Sequence, residues 1–143
     1  MGLVVVQGRP LVPGCAQGMA LVSEKPISFW GGVDPKTGKI IDQRHDRCGE
    51  AVGDRICIFP AEKGSSTASA VFLELVRIGR APAAIITLEV APILMLGAMI
   101  AQRLYEVTIP VLRMNERDLA KVRDREYIRI SVDGRIECSE VEG

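Results

Sequence analysis

The segment KGSST, residues 63–67, places a lysine, a glycine and three hydroxyl side chains where a buried strand is followed by an amphipathic helix. Serine and threonine are favoured N-cap residues, and a preceding glycine merely lets the chain turn. The free N–H groups and the dipole of a helix start can also bind an anion or stabilise a negatively charged serine oxygen. The local pattern leaves a cap, an anion site and a reactive oxygen open, but the GxxxxGK[ST] spacing of a P-loop is absent.

A second candidate is the loop SFWGGVDPKTG, residues 28–38, in which the single tryptophan of the chain, Trp30, stands beside Gly31 and Gly32. Glycines at such a place allow a ligand or another chain to approach the backbone closely. The alternative is a long connection with Trp30 packed into the core. Either way, DPKTG predicts a turn.

The remaining chemistry-bearing residues give weaker signals. His45 is the only histidine and lies in the polar run DQRHDR, which predicts an exposed side chain without a dedicated role. A Ser–His–Asp catalytic set is therefore not indicated. The cysteines form no CxxC pair, which argues against a self-contained zinc or iron–sulfur site and favours free thiols in a reducing compartment. They are Cys15, Cys48, Cys57 and Cys138.

The elements that must position these residues alternate between strand and helix through the middle of the chain. Apolar runs predict strands at 3–7, 19–23, 55–59, 83–88 and 109–114, and Asp133-Gly134 predicts a hairpin over 127–138. Helical spacing predicts helices at 68–78, 92–104 and 116–122, and the breaker-rich segment 8–18 is expected to be a loop. The pattern predicts a mixed α/β domain of two or three layers.

Length and charge narrow the function classes. The 143 residues predict one domain, spanning 1–143, and 18 basic residues balance 18 acidic ones. With so few aromatic residues and no net charge, we expect neither nucleic-acid nor membrane binding. The apolar run 81–100 contains Glu89 and is divided by Pro82 and Pro92, so it is not expected to span a membrane. No signal peptide is indicated, and we expect a cytoplasmic protein.

Three motifs in order, SFWGGVDPKTGKIIDQRHDRCGE, GSST and GRAPAAII, resemble the small subunit of aconitase X, the swivel-domain part of that family. The resemblance extends roughly from Gly8 to Val111. It implies a swivelling β/β/α domain of the aconitase superfamily, with a mixed sheet or small barrel and flanking helices. It also implies a large partner subunit that binds a 4Fe-4S cluster on its own cysteines.

Within this family, a separate short chain is similar to the small subunits of archaeal enzymes of the mevalonate pathway to isoprenoids. The implied reaction is dehydration of (R)-5-phosphomevalonate to trans-anhydromevalonate 5-phosphate. The residue that matches the catalytic serine of the superfamily is Ser65, which would be the general base. The implied substrate-binding residues are Lys63, Gly64, Ser66 and Thr67 beside it, and Gly31, Gly32, Val33 and Asp34 from the facing loop.

One departure from the superfamily bears on the substrate. Aconitases proper follow the serine pair with an arginine that holds a substrate carboxylate, whereas this chain has Thr67. The chain therefore lacks the residue that would hold one carboxylate of a tricarboxylate, which favours a different hydroxy acid as the substrate. The alternatives are the small chain of a cis-3-hydroxy-L-proline dehydratase, and a non-catalytic regulatory or assembly domain in which GSS only caps a helix.

Overall fold

The computed structural model describes residues 3–64 and 66–140. Within these residues the chain forms one eight-stranded mixed sheet and four helices. The strands are β1 (Val4–Gln7), β2 (Arg9–Val12), β3 (Ala16–Val22), β4 (Ile56–Phe59), β5 (Ala84–Thr87), β6 (Val111–Arg113), β7 (Tyr127–Ile130) and β8 (Arg135–Ser139). The helices are α1 (Phe29–Gly32), α2 (Ala68–Arg77), α3 (Pro92–Tyr105) and α4 (Glu116–Leu119).

The sheet is nearly closed into a barrel. Its strand order is β1-β8-β7-β3-β4-β5-β6-β2. The first half of β3 pairs antiparallel with β7 and the second half pairs parallel with β4, so β3 joins an antiparallel half to a parallel half. The two edge strands, β1 and β2, are separated only by Gly8, whose N–H donates to the Gly134 carbonyl oxygen at 2.8 Å. The chain itself therefore brings the two edges of the sheet together.

The parallel strands are buried on both faces. Ile56 and Ile58 of β4 lie in a core cluster with residues of β1, β7 and β8, inside the curved sheet. Cys57 and Phe59, which point the other way, lie in a second cluster with α2 and α3. This alternation explains why β4 reads as a continuous apolar run.

The topology determines where a site can form. Strands β3, β4, β5 and β6 are parallel neighbours, and α2 and α3 provide the crossovers between the last three. The segments that follow β3 and β4 therefore emerge at one edge of the sheet, the carboxyl edge, which is the usual ligand-binding edge of parallel sheets. These two segments contain both sequence motifs.

The structure confirms the predicted fold class, the helices at α2 and α3 and the β7–β8 hairpin. Residues 8–18 were predicted to be a loop, and that prediction is wrong because they contain β2 and the start of β3. Pro10 does not prevent β2, since an edge strand tolerates a residue without an N–H donor, and the β2–β6 register shifts between Pro10 and Val12. In the described part of the chain, no helix combines the length and apolarity that crossing a membrane requires.

Candidate active site

The segment that leads to the serine pair is anchored to the segment that follows β3. The Ile27 N–H donates to the Ala61 carbonyl oxygen at 3.2 Å, and the Lys63 N–H donates to the Ile27 carbonyl oxygen at 3.1 Å. The Pro60 carbonyl oxygen accepts from Leu88, at the end of β5, at 3.1 Å. Residues 60–63 are thus held by backbone hydrogen bonds from two neighbouring connections.

Glu62 ties the same segment to the start of α3. Its Oε1 accepts from the Ile93 N–H and its Oε2 from the Leu94 N–H, each at 2.9 Å. Pro92, the first helical residue, has no N–H, and Met95 already donates within the helix to Ala91. One carboxylate therefore accepts from the two backbone N–H groups that have no acceptor within the helix. Its negative charge is also stabilised by the positive end of the helix dipole.

Gly64 lies where the two motifs, KGSST and SFWGGVDPKTG, are in close contact. Its φ is +106°, and a Cβ placed on it would lie 2.5 Å from the Ser28 Oγ. The Ser28 hydroxyl in turn donates to the Trp30 carbonyl oxygen at 2.8 Å. The KGSST segment and the SFWGG segment therefore lie against each other at the carboxyl edge of the sheet.

Ser65, the predicted base, lies outside the described residues. After it, Ser66 and Thr67 are exposed and form the turn that enters α2. The Ser66 carbonyl oxygen accepts from both the N–H and the hydroxyl of Ser69, at 3.2 and 2.8 Å. Thr67 occupies the N-cap position in a helical conformation, and its side chain makes no capping hydrogen bond.

The facing loop presents its tryptophan to solvent. Trp30 is 57% exposed, so the alternative in which it packs into the core is wrong. Gly31 beside it is exposed with φ +79° and has no atom within 4 Å of a Cβ position, whereas Gly32 is buried. Trp30 and Gly31 together form an exposed apolar and backbone surface next to Gly64.

Val33 and Asp34 are held by the loop itself. The Val33 side chain is buried in the core cluster that contains α2 and α3. Asp34 accepts from the Lys36 N–H at 2.9 Å and from the Thr37 hydroxyl at 3.0 Å, which closes the predicted DPKTG turn. The Lys36 N–H, with help from Thr37 and the Lys36 charge, lowers the pKa of Asp34. Both side chains therefore have a clear role in shaping the loop.

His45 is buried, which corrects the prediction of an exposed histidine. The imidazole Nδ1 accepts from the Arg47 backbone N–H at 3.0 Å, and the backbone N–H of His45 donates to the Asp42 carbonyl oxygen at 3.0 Å. These bonds fold the polar run around the imidazole. The sequence predicted exposure because the neighbouring residues are polar or charged, but only some of them, such as Arg44 with its side chain 94% exposed, extend into solvent.

The thiols do not converge. Cys15 and Cys48 are exposed, whereas Cys57 and Cys138 are buried in different core clusters. Burial raises the pKa of the Cys57 thiol to about 12 and that of Cys138 to about 11, so both are poor metal ligands and poor nucleophiles. In residues 3–64 and 66–140, no three His, Cys, Asp or Glu side chains come together around a metal-sized space. These residues do not fit an iron–sulfur cluster.

A cleft of about 240 Å³ opens beside Lys63 at the same edge. Sequence reasoning missed it because its residues come from separate parts of the chain, and only Lys63 had been singled out as a binding residue. It is lined by Lys25, Pro26, Asp42, Arg44, His45 and Lys63. A cavity of about 320 Å³ lies at the opposite, amino edge of the parallel strands, away from both motifs. The charged lining of the Lys63 cleft and its position at the carboxyl edge, rather than its volume, make it the candidate ligand site.

The chain belongs to the aconitase X swivel domain family, whose model matches residues 5–138. This confirms the resemblance inferred from the three motifs. It is also similar to the aconitase X of Thermococcus kodakaraensis, solved by crystallography in its holo form, with a TM-score of 0.84 and 34% identity over 96% of this chain and 99% of that chain. The family implies an iron–sulfur enzyme in general.

Two curated relatives bear on the reaction. The phosphomevalonate dehydratase small subunit of Methanosarcina acetivorans is 36% identical over 142 residues, covering 98% of this chain and 94% of that one. The cis-3-hydroxy-L-proline dehydratase of Pseudomonas aeruginosa is 40% identical over 129 residues, which covers 90% of this chain but 22% of that protein. Both relatives are named as dehydratases.

Proposed function

We propose that this chain is the small subunit of a heteromeric hydro-lyase that dehydrates (R)-5-phosphomevalonate to trans-anhydromevalonate 5-phosphate. The observation that carries the proposal is the extent of the match. A relative of nearly the same length, covered over 94% of its chain, is named as the small subunit of such an enzyme. The hydroxyproline-specific relative instead contains the matching region as about a fifth of one long chain.

The proposal includes a large partner subunit that binds the iron–sulfur cluster, a 4Fe-4S cluster by family resemblance. It is supported by the described residues of this chain, which do not fit a cluster, and by the word "small subunit" in the relative's name. The large subunit would face the carboxyl edge, where Trp30 and Gly31 are exposed.

In this proposal Ser65 removes a proton from C2 of the substrate, next to the carboxylate. The C2–H electron pair forms the C2–C3 double bond as the C3–O bond breaks. The departing hydroxide and the proton taken up by Ser65 together make one water, which returns Ser65 to its basic form. A serine oxygen needs help to act as a base, because its ordinary pKa is far above neutrality. The positive end of the ten-residue helix α2 and the nearby Lys63 ammonium would provide it.

The neighbouring residues would hold this base in place. Gly64 allows the sharp turn against Ser28, and Glu62 fixes the preceding segment to α3. Ser66 and Thr67 are exposed beside the base and would donate to the substrate, while the exposed Gly31 would let the facing backbone approach it and the buried Gly32 would support that backbone. Val33 and Asp34 would contribute by holding that loop in shape.

A second candidate is dehydration of cis-3-hydroxy-L-proline, favoured by the 40% identity to the Pseudomonas enzyme. The deciding experiment is to co-purify this chain with the large aconitase X subunit of the same organism under anaerobic conditions. The complex is then assayed with each substrate at matched concentrations. We expect turnover of 5-phosphomevalonate at least tenfold more efficient in kcat/KM. Preference for hydroxyproline would select the second candidate. Activity of the large subunit alone would show that this chain is a non-catalytic domain.

A further inference from the structure

We propose that the cleft lined by Lys25, Asp42, Arg44, His45 and Lys63 binds the phosphate group of the substrate. This inference rests on the proposed function, and it assigns to this chain the part of the site that recognises phosphate. The cleft has a volume of about 240 Å³, which accommodates a phosphate with its ester oxygen. It adjoins the KGSST segment, since Lys63 belongs to both.

The charge of the cleft suits a dianion. Three cationic side chains line it against one carboxylate, that of Asp42. This carboxylate is already engaged, because Asp42 Oδ1 accepts from the Arg44 N–H at 3.0 Å. That hydrogen bond, and further the charges of Arg44 and Lys63, lower the pKa of Asp42. The cleft therefore keeps an excess of positive charge, and phosphate recognition by Lys and Arg is the chemistry such a cleft supports.

The cations are placed to face a ligand. The Lys25 ammonium donates to the Arg44 carbonyl oxygen at 2.9 Å, which fixes it at the cleft and leaves two of its three N–H donors for a ligand. The Arg44 side chain is 94% exposed, and its Nε lies 3.8 Å from Asp42 Oδ1. A flexible guanidinium at the rim can close over a phosphate with two parallel hydrogen bonds.

His45 supplies a second observation, independent of the cations. Its side chain is 3% exposed, and Nδ1 is the acceptor for Arg47, so the proton of the neutral ring is on Nε2. Asp46 Oδ1 lies 3.5 Å from the same Nδ1, too far to compete with that hydrogen bond. Nε2 is buried and has no hydrogen-bond partner among the described residues. A buried donor left without an acceptor is costly, and a small rearrangement on ligand binding would satisfy it.

The dimensions of the substrate agree with this placement. Five bonds separate the phosphorus of 5-phosphomevalonate from C2, which spans roughly 6–7 Å when extended. Lys63 stands two residues before Ser65, and two residues of chain span at most about 7 Å. A phosphate beside Lys63 therefore leaves C2 within reach of the residue proposed as the base.

The test uses the co-purified complex with Lys25→Ala, Arg44→Ala and the double variant. Lys36→Ala is the matched control, since Lys36 is an exposed lysine in the DPKTG turn and does not line the cleft. We expect the double variant to raise the KM for 5-phosphomevalonate by about ten- to a hundredfold, with kcat changed less than about threefold. Binding of inorganic phosphate to the complex, measured by calorimetry, should weaken in parallel, and the control should match the wild type.

The outcomes separate this inference from the proposed function. If the wild-type complex does not act on 5-phosphomevalonate but the double variant loses phosphate binding, the function is wrong and the phosphate site stands. If turnover occurs and neither KM nor phosphate affinity changes in the double variant, the phosphate site is wrong. Weakened association of the two subunits with an unchanged KM would show that these cations contact the large subunit, which also overturns the inference.

Discussion

Gly64 and Ser28 are in direct contact across the carboxyl edge of the sheet, such that a Cβ on Gly64 would lie 2.5 Å from the Ser28 Oγ and 3.4 Å from its Cβ. The contact joins the end of the segment after β4 to the loop after β3. Because Ser28 also donates to the Trp30 carbonyl oxygen, a shift of either residue changes the loop that carries Trp30. The two motifs therefore form one structural unit.

The first prediction concerns Gly64→Ala. The alanine must adopt φ +106° and displace the Ser28 hydroxyl, so we expect a loss of about 1–3 kcal/mol in the free energy of unfolding. Turnover of the complex should fall at least tenfold, because the substitution would displace the next residue, Ser65, which is the proposed base. Chemical denaturation and steady-state kinetics measure the two effects.

Gly79→Ala is the matched control. Gly79 also has a positive φ, +75°, but no atom lies within 4 Å of its Cβ position, and it stands at the end of α2. It should cost stability without changing kcat. In the double variant Ser28→Ala/Gly64→Ala, part of the lost stability should return. Equal effects of Gly64→Ala and Gly79→Ala on kcat would show that the Ser28 contact has no catalytic importance.

The second prediction concerns the carboxylate that holds the KGSST segment to α3. Glu62→Gln keeps the size of the side chain but leaves one acceptor for the Ile93 and Leu94 N–H groups. We expect a loss of about 1–3 kcal/mol in the free energy of unfolding, measured by urea denaturation. Glu89→Gln, at an exposed glutamate just before the same helix, is the control for charge alone. If both variants lose the same small amount, the two hydrogen bonds contribute nothing of their own.

The sequence predicted those parts of the fold that depend on local pattern. Helix α2 and the β7–β8 hairpin follow from helical spacing and an Asp-Gly turn, both visible within short windows. Strand β2 was missed because its pairing with β6 is long-range, and only an edge position makes Pro10 acceptable.

The site was predictable only where a motif is contiguous. KGSST and SFWGG could be recognised as candidates, but their contact through Gly64 and Ser28 depends on the parallel pairing of β3 with β4. The cleft at Lys63 could not be found, because Lys25 and Arg44 approach it only after the connection between β3 and β4 has folded. The burial of His45 depends on the same folding and was missed for the same reason.

The third prediction is a loss of stability at alkaline pH that depends on Cys57. Burial raises the pKa of this thiol from 9.0 to about 12 in the folded chain. Between these pH values the unfolded chain has lost the thiol proton and the folded chain keeps it. The thiol therefore leaves the free energy of unfolding unchanged below pH 9 and lowers it as the pH rises above 9. The slope from one thiol is about 1.4 kcal/mol per pH unit.

Urea denaturation from pH 8 to pH 10.5 measures this slope. Cys57→Ala should be less stable at every pH because it leaves a small cavity, but its decline above pH 9 should be shallower than that of the wild type. In the native chain a thiol reagent should modify the exposed Cys15 and Cys48 and leave Cys57 and Cys138 unmodified. Parallel declines in the two proteins, or rapid labelling of Cys57, would contradict the raised pKa.

The fourth prediction assigns Trp30 to the contact with the large subunit. Because this side chain is 57% exposed, Trp30→Ser should leave the stability of the small subunit nearly unchanged. Tryptophan is enriched among the residues that dominate binding energy, so we expect the subunit affinity to fall at least tenfold in a titration. Val132→Ser, at an equally exposed apolar position in the β7–β8 turn, is the control. An unchanged affinity for Trp30→Ser would place the interface elsewhere.

The last prediction distinguishes a helix cap from a base at Ser65. Loss of a capping hydroxyl costs roughly 0.5–2 kcal/mol of stability, which a domain of this size survives. Loss of a general base lowers the rate by about 10²–10⁴-fold. We therefore expect the Ser65→Ala complex to assemble normally and to lose at least a hundredfold in both water elimination and exchange of the C2 proton with deuterated solvent. Ser66→Ala, which removes the neighbouring exposed hydroxyl, should weaken turnover but leave it measurable. If Ser65→Ala keeps more than about a tenth of wild-type exchange, its loss falls short of the general-base range, and Ser65 is a cap.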